Sequence, residues 1–197
     1  MSSKNTQRDD ARAFLLVMAG ALIMVAIAWI VGMVLKAPML ARFSLSLADS
    51  AIGLIATAPL IVLLFWFMRT NLPMLVKFRE SQIDFFAKIG FRFTPLRIAL
   101  LAISAGVSEE LLFRGVLQSW IASALPVSLA IILPNIAFGA LHARTSLYAF
   151  IAGMVGVYMG LVFAATDNVL APIITHAAYD WAALIITQRA IAARIGS

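Results

Sequence analysis

The sequence predicts an all-α fold: a polytopic membrane helical bundle of about six transmembrane helices with an interfacial amphipathic helix. Three observations carry this prediction. Of 197 residues, 63% are hydrophobic and only 12% charged, with a mean hydropathy of +1.00, whereas soluble domains are about half apolar and a quarter charged. Long uncharged runs recur along the chain, several close to the roughly 20 residues that cross a hydrocarbon core. The basic residues sit between those runs rather than inside them. That distribution accounts for the net charge of +6 and points to a lipid bilayer as partner, with no nucleic acid. The absence of cysteine removes disulfides, thiol nucleophiles and thiolate metal sites.

Residues 1–12 are polar and mixed in charge and read as a short cytoplasmic tail. Residues 13–35 form the first span, longer than a signal-peptide core and followed by further spans, hence part of the mature protein. Residues 36–50, with Pro38, Arg42 and Asp49, are a connector, and 51–68 form the second span. Residues 69–97 interleave Arg69, Lys77, Arg79, Lys88, Arg92 and Arg97 with Phe78, Ile83, Phe85 and Phe86, a pattern suited to a helix lying in the interface. Residues 98–124 form the third apolar run, interrupted by Glu109, Glu110 and Arg114. Pro126 turns the chain into a fourth span, 127–141, with Pro134 inside it. Residues 142–145 close that span at an interface. The fifth span, 146–165, contains Gly153, Gly156 and Gly160, small residues that let neighbouring helices approach closely. A tight loop at 166–168 leads to the sixth, 169–187. With the amino terminus inside, only Lys36 and Arg42 fall outside and Arg114 lies within the bilayer, so the positive-inside rule favours a cytoplasmic amino terminus. There are no repeats and no soluble-domain boundary. Residues 1–197 read as one membrane domain, with two spans in 13–68, a basic connector in 69–97 and a four-helix core in 98–187.

The charges inside the apolar runs carry the functional signal. A charge near mid-bilayer costs about 2.5–3.5 kcal/mol, so three in one helix need partners and usually a function. Glu110 and Arg114 stand four apart and pair along one face, while Glu109 is turned about 100° away. Glu109 is thus the free carboxylate, placed to act as a general base. Phe138 and His142 share a face of the fourth helix, and His176 and Asp180 share a face of the sixth. Intramembrane ionisable groups point into the bundle interior or a water-filled cavity. Convergence of Glu109, His142, His176 and Asp180 would assemble a base, two imidazoles and a further carboxylate, a set suited to activating water. Other designs match less well. His142 is followed by Ala-Arg-Thr-Ser, so no His-Glu-x-x-His zinc helix is present. A dyad of Ser104 or Ser108 with His176 leaves both glutamates unexplained, and Tyr179-Asp180 lacks a Gly-x-Gly-Asp partner.

Glu109-Glu110-x-x-x-Arg114, Phe138-x-x-x-His142 and His176-x-x-x-Asp180, in this order on successive hydrophobic segments, resemble the CPBP intramembrane proteases, the family that includes the type II CAAX prenyl endopeptidases and Abi-related bacterial proteins. The resemblance covers roughly residues 95–185. It implies an intramembrane endopeptidase acting on a membrane-associated peptide or protein, or on C-terminal tails, in which Glu109 activates water with help from His142. By the same resemblance, Glu110 and Arg114 hold the motif, Phe138 packs beside it, and His176 and Asp180 stabilise the oxyanion. An ionised Asp180 cannot donate a hydrogen bond, so it serves that role only when protonated or by orienting His176. The family has been described both as metalloproteases and as metal-free glutamate proteases. No cofactor is favoured here, and zinc held by Glu109, His142 and His176 is the alternative. The compact chain without long loops suggests a bacterial inner-membrane protein. Competing readings are a proton-coupled transporter, in which the buried acids and imidazoles form a relay, and a non-catalytic scaffold or immunity protein.

Overall fold

The computed structural model describes residues 3–195, with side chains for residues 8–194. It is all-helical, with 82% helix and no strand among the described residues. The first helix, α1, runs Ser3–Val34 and so takes in most of the polar stretch expected to be a tail. Nothing between Lys4 and Arg12 breaks a helix, as neither Gly nor Pro occurs there. Asp10 anchors this extension, accepting from the Arg92 backbone N–H (2.7 Å) and pairing with Arg97 (2.6 Å).

The boundaries of the remaining helices follow from their caps. In α2, Leu47–Arg69, the Ser46 hydroxyl accepts from the Asp49 N–H, and Asp49 adds negative charge to the first turn. Helix α3, Pro73–Ala87, opens on a proline, whose missing N–H costs nothing in a first turn. Thr94 and Pro95 open α4 in the same manner. That rod begins as Pro95–Glu110, widens into π turns over Leu111–Gln118 and closes with Ser119–Ala122. Helix α5 is Val127–Leu141. Helix α6, Ser146–Thr166, is capped by Thr145 and ends at Asp167, which has φ 51°. Helix α7 is Leu170–Ile195.

Four helices, α1, α2, α6 and α7, are long and apolar enough to cross a membrane. The sequence reading counted six spans. Of the other two, α5 has only 15 residues, against roughly 20 for a full crossing, and α4 carries Arg97, Glu109, Glu110 and Arg114. These two supply the interior. The buried cluster centres on Leu111, Leu112, Phe113 and Val116 of the π segment, with Ala28, Phe138, Ala152, Phe163 and Val169 packed around it. The outer faces of α1, α2 and α6 expose Leu22, Ile30, Leu54, Val62, Phe150 and Leu161, apolar surface suited to lipid.

Helix α7 packs against α2 and α4, and α5 packs against α6. The glycine stripe of α6 faces α5 and α4, as its spacing suggests. A Cβ on Gly153 would lie 3.3 Å from the Asn135 carbonyl, and one on Gly160 would lie 3.0 Å from Gln118 Oε1. One on Gly156 would overlap the Asn135 amide oxygen and come within 3.2 Å of the Phe138 ring. Gly156→Ala should therefore destabilise the bundle by about 1–3 kcal/mol, the usual cost of overpacking. A thermal unfolding shift in detergent would measure it, and an unchanged midpoint would refute the packing argument.

At one end of the bundle, Arg42 pairs with Asp167, and Asn168 donates to the Ser44 carbonyl (2.9 Å) and to Asp49 (2.8 Å). At the other end α3 is tied down three times. Arg79 donates to the carbonyls of Phe67, Met68 and Thr70 at the end of α2, Arg194 pairs with Glu80 and Asp84, and Arg144 bonds Gln82.

Candidate active site

The acidic pair separates as the helical spacing implies. Glu110 and Arg114 are both 0% exposed and face each other across one turn, with Nη1 donating to Oε1 (3.2 Å). Nε lies 3.1 Å from Oε2, an ion contact whose angle falls outside a hydrogen bond. The guanidinium also binds two other helices. Its Nη2 donates to Asn135 Oδ1 on α5 (3.0 Å) and to the Gly156 carbonyl on α6. Asn135 is held in turn by donating to the Ile131 carbonyl (2.7 Å). A fully buried charge persists only when paired and hydrogen-bonded on several sides, and Arg114 has that coordination.

The π turns lie where this network forms. The Arg114 carbonyl accepts the Ser119 backbone N–H in the wide turn and the Ser119 hydroxyl as well (2.8 Å). Gln118 continues the pattern by donating to the Gly160 carbonyl (2.9 Å). The polar face of α4 thus binds α6 through backbone carbonyls that the glycine stripe leaves accessible.

His176 on α7 is the pivot of the site. Its Nδ1 lies 2.8 Å from Glu110 Oε1, and a carboxylate only accepts, so Nδ1 carries the proton. Its Nε2 is then turned towards Asp180 Oδ2 at 3.5 Å and Glu109 Oε2 at 3.8 Å. Arg114 matches the charge of Glu110, which leaves one imidazole facing two carboxylates. The side chains of Glu109 and Asp180 are 19% and 30% exposed, against 10% for His176, so the acids rather than the ring reach open space.

His142 caps the end of α5, with its Nδ1 2.8 Å from the Phe138 carbonyl, which makes that nitrogen the donor and leaves Nε2 uncommitted. Its ring lies over Phe138 at 4.4 Å and meets the Tyr148 ring edge-on at 5.8 Å. It stands within electrostatic reach of Glu109 without a direct hydrogen bond to it. Phe138 also packs edge-to-face on Phe113 (4.9 Å) and lies under the Arg114 guanidinium (5.7 Å). The structure thus brings Glu109, Glu110, His176 and Asp180 into one cluster, and places His142 beside it rather than in contact.

The acids face a cavity of about 800 Å³. Glu109, Ser108, Asp180, Tyr148 and Tyr179 provide polar groups in its lining, and Leu60, Leu64, Phe67, Phe78, Ile151 and Leu184 are among its apolar walls. A serine dyad finds no support, because the Ser104 and Ser108 hydroxyls donate to the carbonyls of Leu101 and Ala105 within their own helix. Among the described residues, no three His, Asp or Glu side chains converge as a metal-ligand set. The donors present therefore do not form a ready zinc site.

Sequence reasoning missed Asn135, the Gly156 carbonyl, the π turns and the contact between His176 and Glu110. A neutral amide in the middle of an apolar run was the one available signal for Asn135.

No curated protein and no solved structure matches the chain. Residues 91–182, from within the α3–α4 connector to just beyond Asp180, match the family model described as type II CAAX prenyl endopeptidase Rce1-like, and this matched segment, which holds every ionisable group of the site, is similar to proteins of the protease kind.

Proposed function

We propose that the protein is an intramembrane endopeptidase that hydrolyses peptide bonds of membrane-associated or C-terminal-tail substrates with water activated by Glu109. One observation carries this reading. Among the described residues Glu109, like Asp180, pairs with no guanidinium, it lines an apolar cavity of about 800 Å³, and it lies 3.8 Å from an imidazole that Glu110 holds from behind. A desolvated base positioned beside a fixed cation is the arrangement that proton abstraction from water requires.

In this mechanism Glu109 takes a proton from water as the water oxygen attacks the scissile carbonyl. His142 Nε2 helps to hold that water. His176, protonated between Glu109 and Asp180, stabilises the negative oxygen through Nε2–H. Asp180 favours and orients the imidazolium rather than donating itself. Glu110 and Arg114 fix the geometry, and Phe138 supports His142. The reaction needs no metal. The amino terminus is cytoplasmic and the membrane a bacterial inner membrane, a reading supported by the Lys and Arg clustered around α3 and the opposite end holding only Lys36 and Arg42.

The test is to incubate the purified protein in lipid vesicles with a panel of membrane peptides and map products by mass spectrometry, with and without a strong zinc chelator. A discrete cut that persists at an unchanged rate in chelator is the expected outcome. Cleavage abolished by chelator and restored by zinc would overturn the metal-free mechanism, and cleavage indifferent to Glu109 substitution would overturn the assignment.

A further inference from the structure

The site, read as proteolytic, is short of hydrogen-bond donors. Hydrolysis generates a negative oxygen, and removing one donor aimed at such an oxygen typically costs about 10²–10³ in rate. Asp180 as a carboxylate only accepts, so of the residues considered above His176 alone donates. The cavity lining contains five hydroxyl groups, on Ser104, Ser108, Thr187, Tyr148 and Tyr179. Ser104, Ser108 and Thr187 already donate to the carbonyls of Leu101, Ala105 and Ala183. The two tyrosines remain, and no hydrogen bond to another described residue engages the hydroxyl of either.

They differ in position. Tyr148 stands in the field of both Glu109 and Asp180, the two acids that border the reacting space, whereas Tyr179 stands in that of Asp180 and Tyr148. The Tyr148 ring is also fixed on three sides: edge-on to His142 at 5.8 Å, against Phe78 at 5.8 Å, and under the Arg144 guanidinium at 4.9 Å. Its backbone N–H is seated on the Thr145 cap, which sets the first turn of α6. A donor held this firmly needs little reorganisation when charge develops, the condition under which oxyanion stabilisation is most effective.

We propose that Tyr148 is a catalytic residue of this site, its phenolic O–H donating to the oxyanion of the tetrahedral intermediate. The proposal rests on the proteolytic reading given above. As Glu109 takes the proton of water, the new C–O bond forms and the carbonyl π pair moves to oxygen, which accepts hydrogen bonds from Tyr148 O–H and His176 Nε2–H. Collapse restores the C=O bond and breaks C–N, and the leaving nitrogen takes the proton held by Glu109. Tyr148 keeps its own proton throughout, which separates it from a general acid.

The experiment compares Tyr148→Phe, Tyr179→Phe and Glu109→Gln in vesicles, on whichever peptide the wild type cuts. Tyr148→Phe keeps the ring and its packing, so its thermal midpoint should match the wild type while kcat falls about 10²–10³-fold. KM should stay within about twofold, because the interaction forms only in the transition state. A peptide aldehyde that mimics the tetrahedral state should lose affinity by the same factor as kcat, a readout that a purely structural role would leave unmoved. Tyr179→Phe should be close to wild type. If Tyr148→Phe turns over at the wild-type rate while Glu109→Gln is inactive, the tyrosine role is wrong and the glutamate mechanism stands. If the loss appears in Tyr179→Phe instead, the donor has been misassigned. Full activity in both Tyr148→Phe and Glu109→Gln would remove the Glu109 mechanism and this proposal with it.

Discussion

Glu109→Gln should insert and fold like the wild type and lose cleavage by about 10²–10⁴-fold, the range associated with removing a general base. Glutamine keeps the size of the side chain and its hydrogen-bonding reach but cannot take a proton. Glu109 lines the cavity and among the described residues pairs with no guanidinium, so the neutral replacement leaves no arginine unpaired, and His176 keeps Glu110 and Asp180. Thermal unfolding should therefore be little changed while the peptide products disappear from the mass spectrum. The same exchange at Glu110 should behave differently, because Glu110 pairs with Arg114 and receives the His176 Nδ1 proton. Wild-type turnover in Glu109→Gln would remove the basis for the mechanism.

Arg114→Leu is expected to have the largest effect on stability. It leaves Glu110 buried, charged and lacking its guanidinium, and removes the donor to Asn135 and to the Gly156 carbonyl. Breaking a buried pair by removing one partner costs about 3–5 kcal/mol, enough to unfold many domains of ordinary stability. The informative comparison is the double variant Glu110→Leu with Arg114→Leu. Replacing both members of a buried pair by apolar residues is often near neutral, so the double variant should melt above the single one, measured by thermal unfolding in the same detergent. It should nonetheless cleave poorly, because His176 loses the carboxylate that holds its Nδ1. A single variant as stable as the wild type would show that the guanidinium does not bind α4 to α5 and α6.

Much of this site is legible along the chain, and the reason is local. Charges inside apolar runs stand out because each is costly in lipid, and helical periodicity is a local rule, so Glu110 with Arg114 and His176 with Asp180 can be paired on paper. The pairing of His176 with Glu110 follows no such rule. It joins residues 66 apart in the chain and depends on how α7 packs against α4. Asn135 gives a weaker signal, since a neutral amide in a span has many possible partners. The first helix illustrates a different limit. Polarity suggested a tail up to residue 12, but a charged segment without Gly or Pro continues a helix readily when a partner such as Arg97 meets its Asp10.

Composition and spacing alone determined that the chain is an all-α membrane protein and which residues must leave the lipid, because the penalty for a charge in hydrocarbon applies wherever the chain is placed. Only the tertiary structure decided which of those charges neutralise one another and which remain open to a cavity. That choice depends on the register and crossing of α4, α6 and α7, set by glycine contacts and π turns that no pattern of hydropathy encodes.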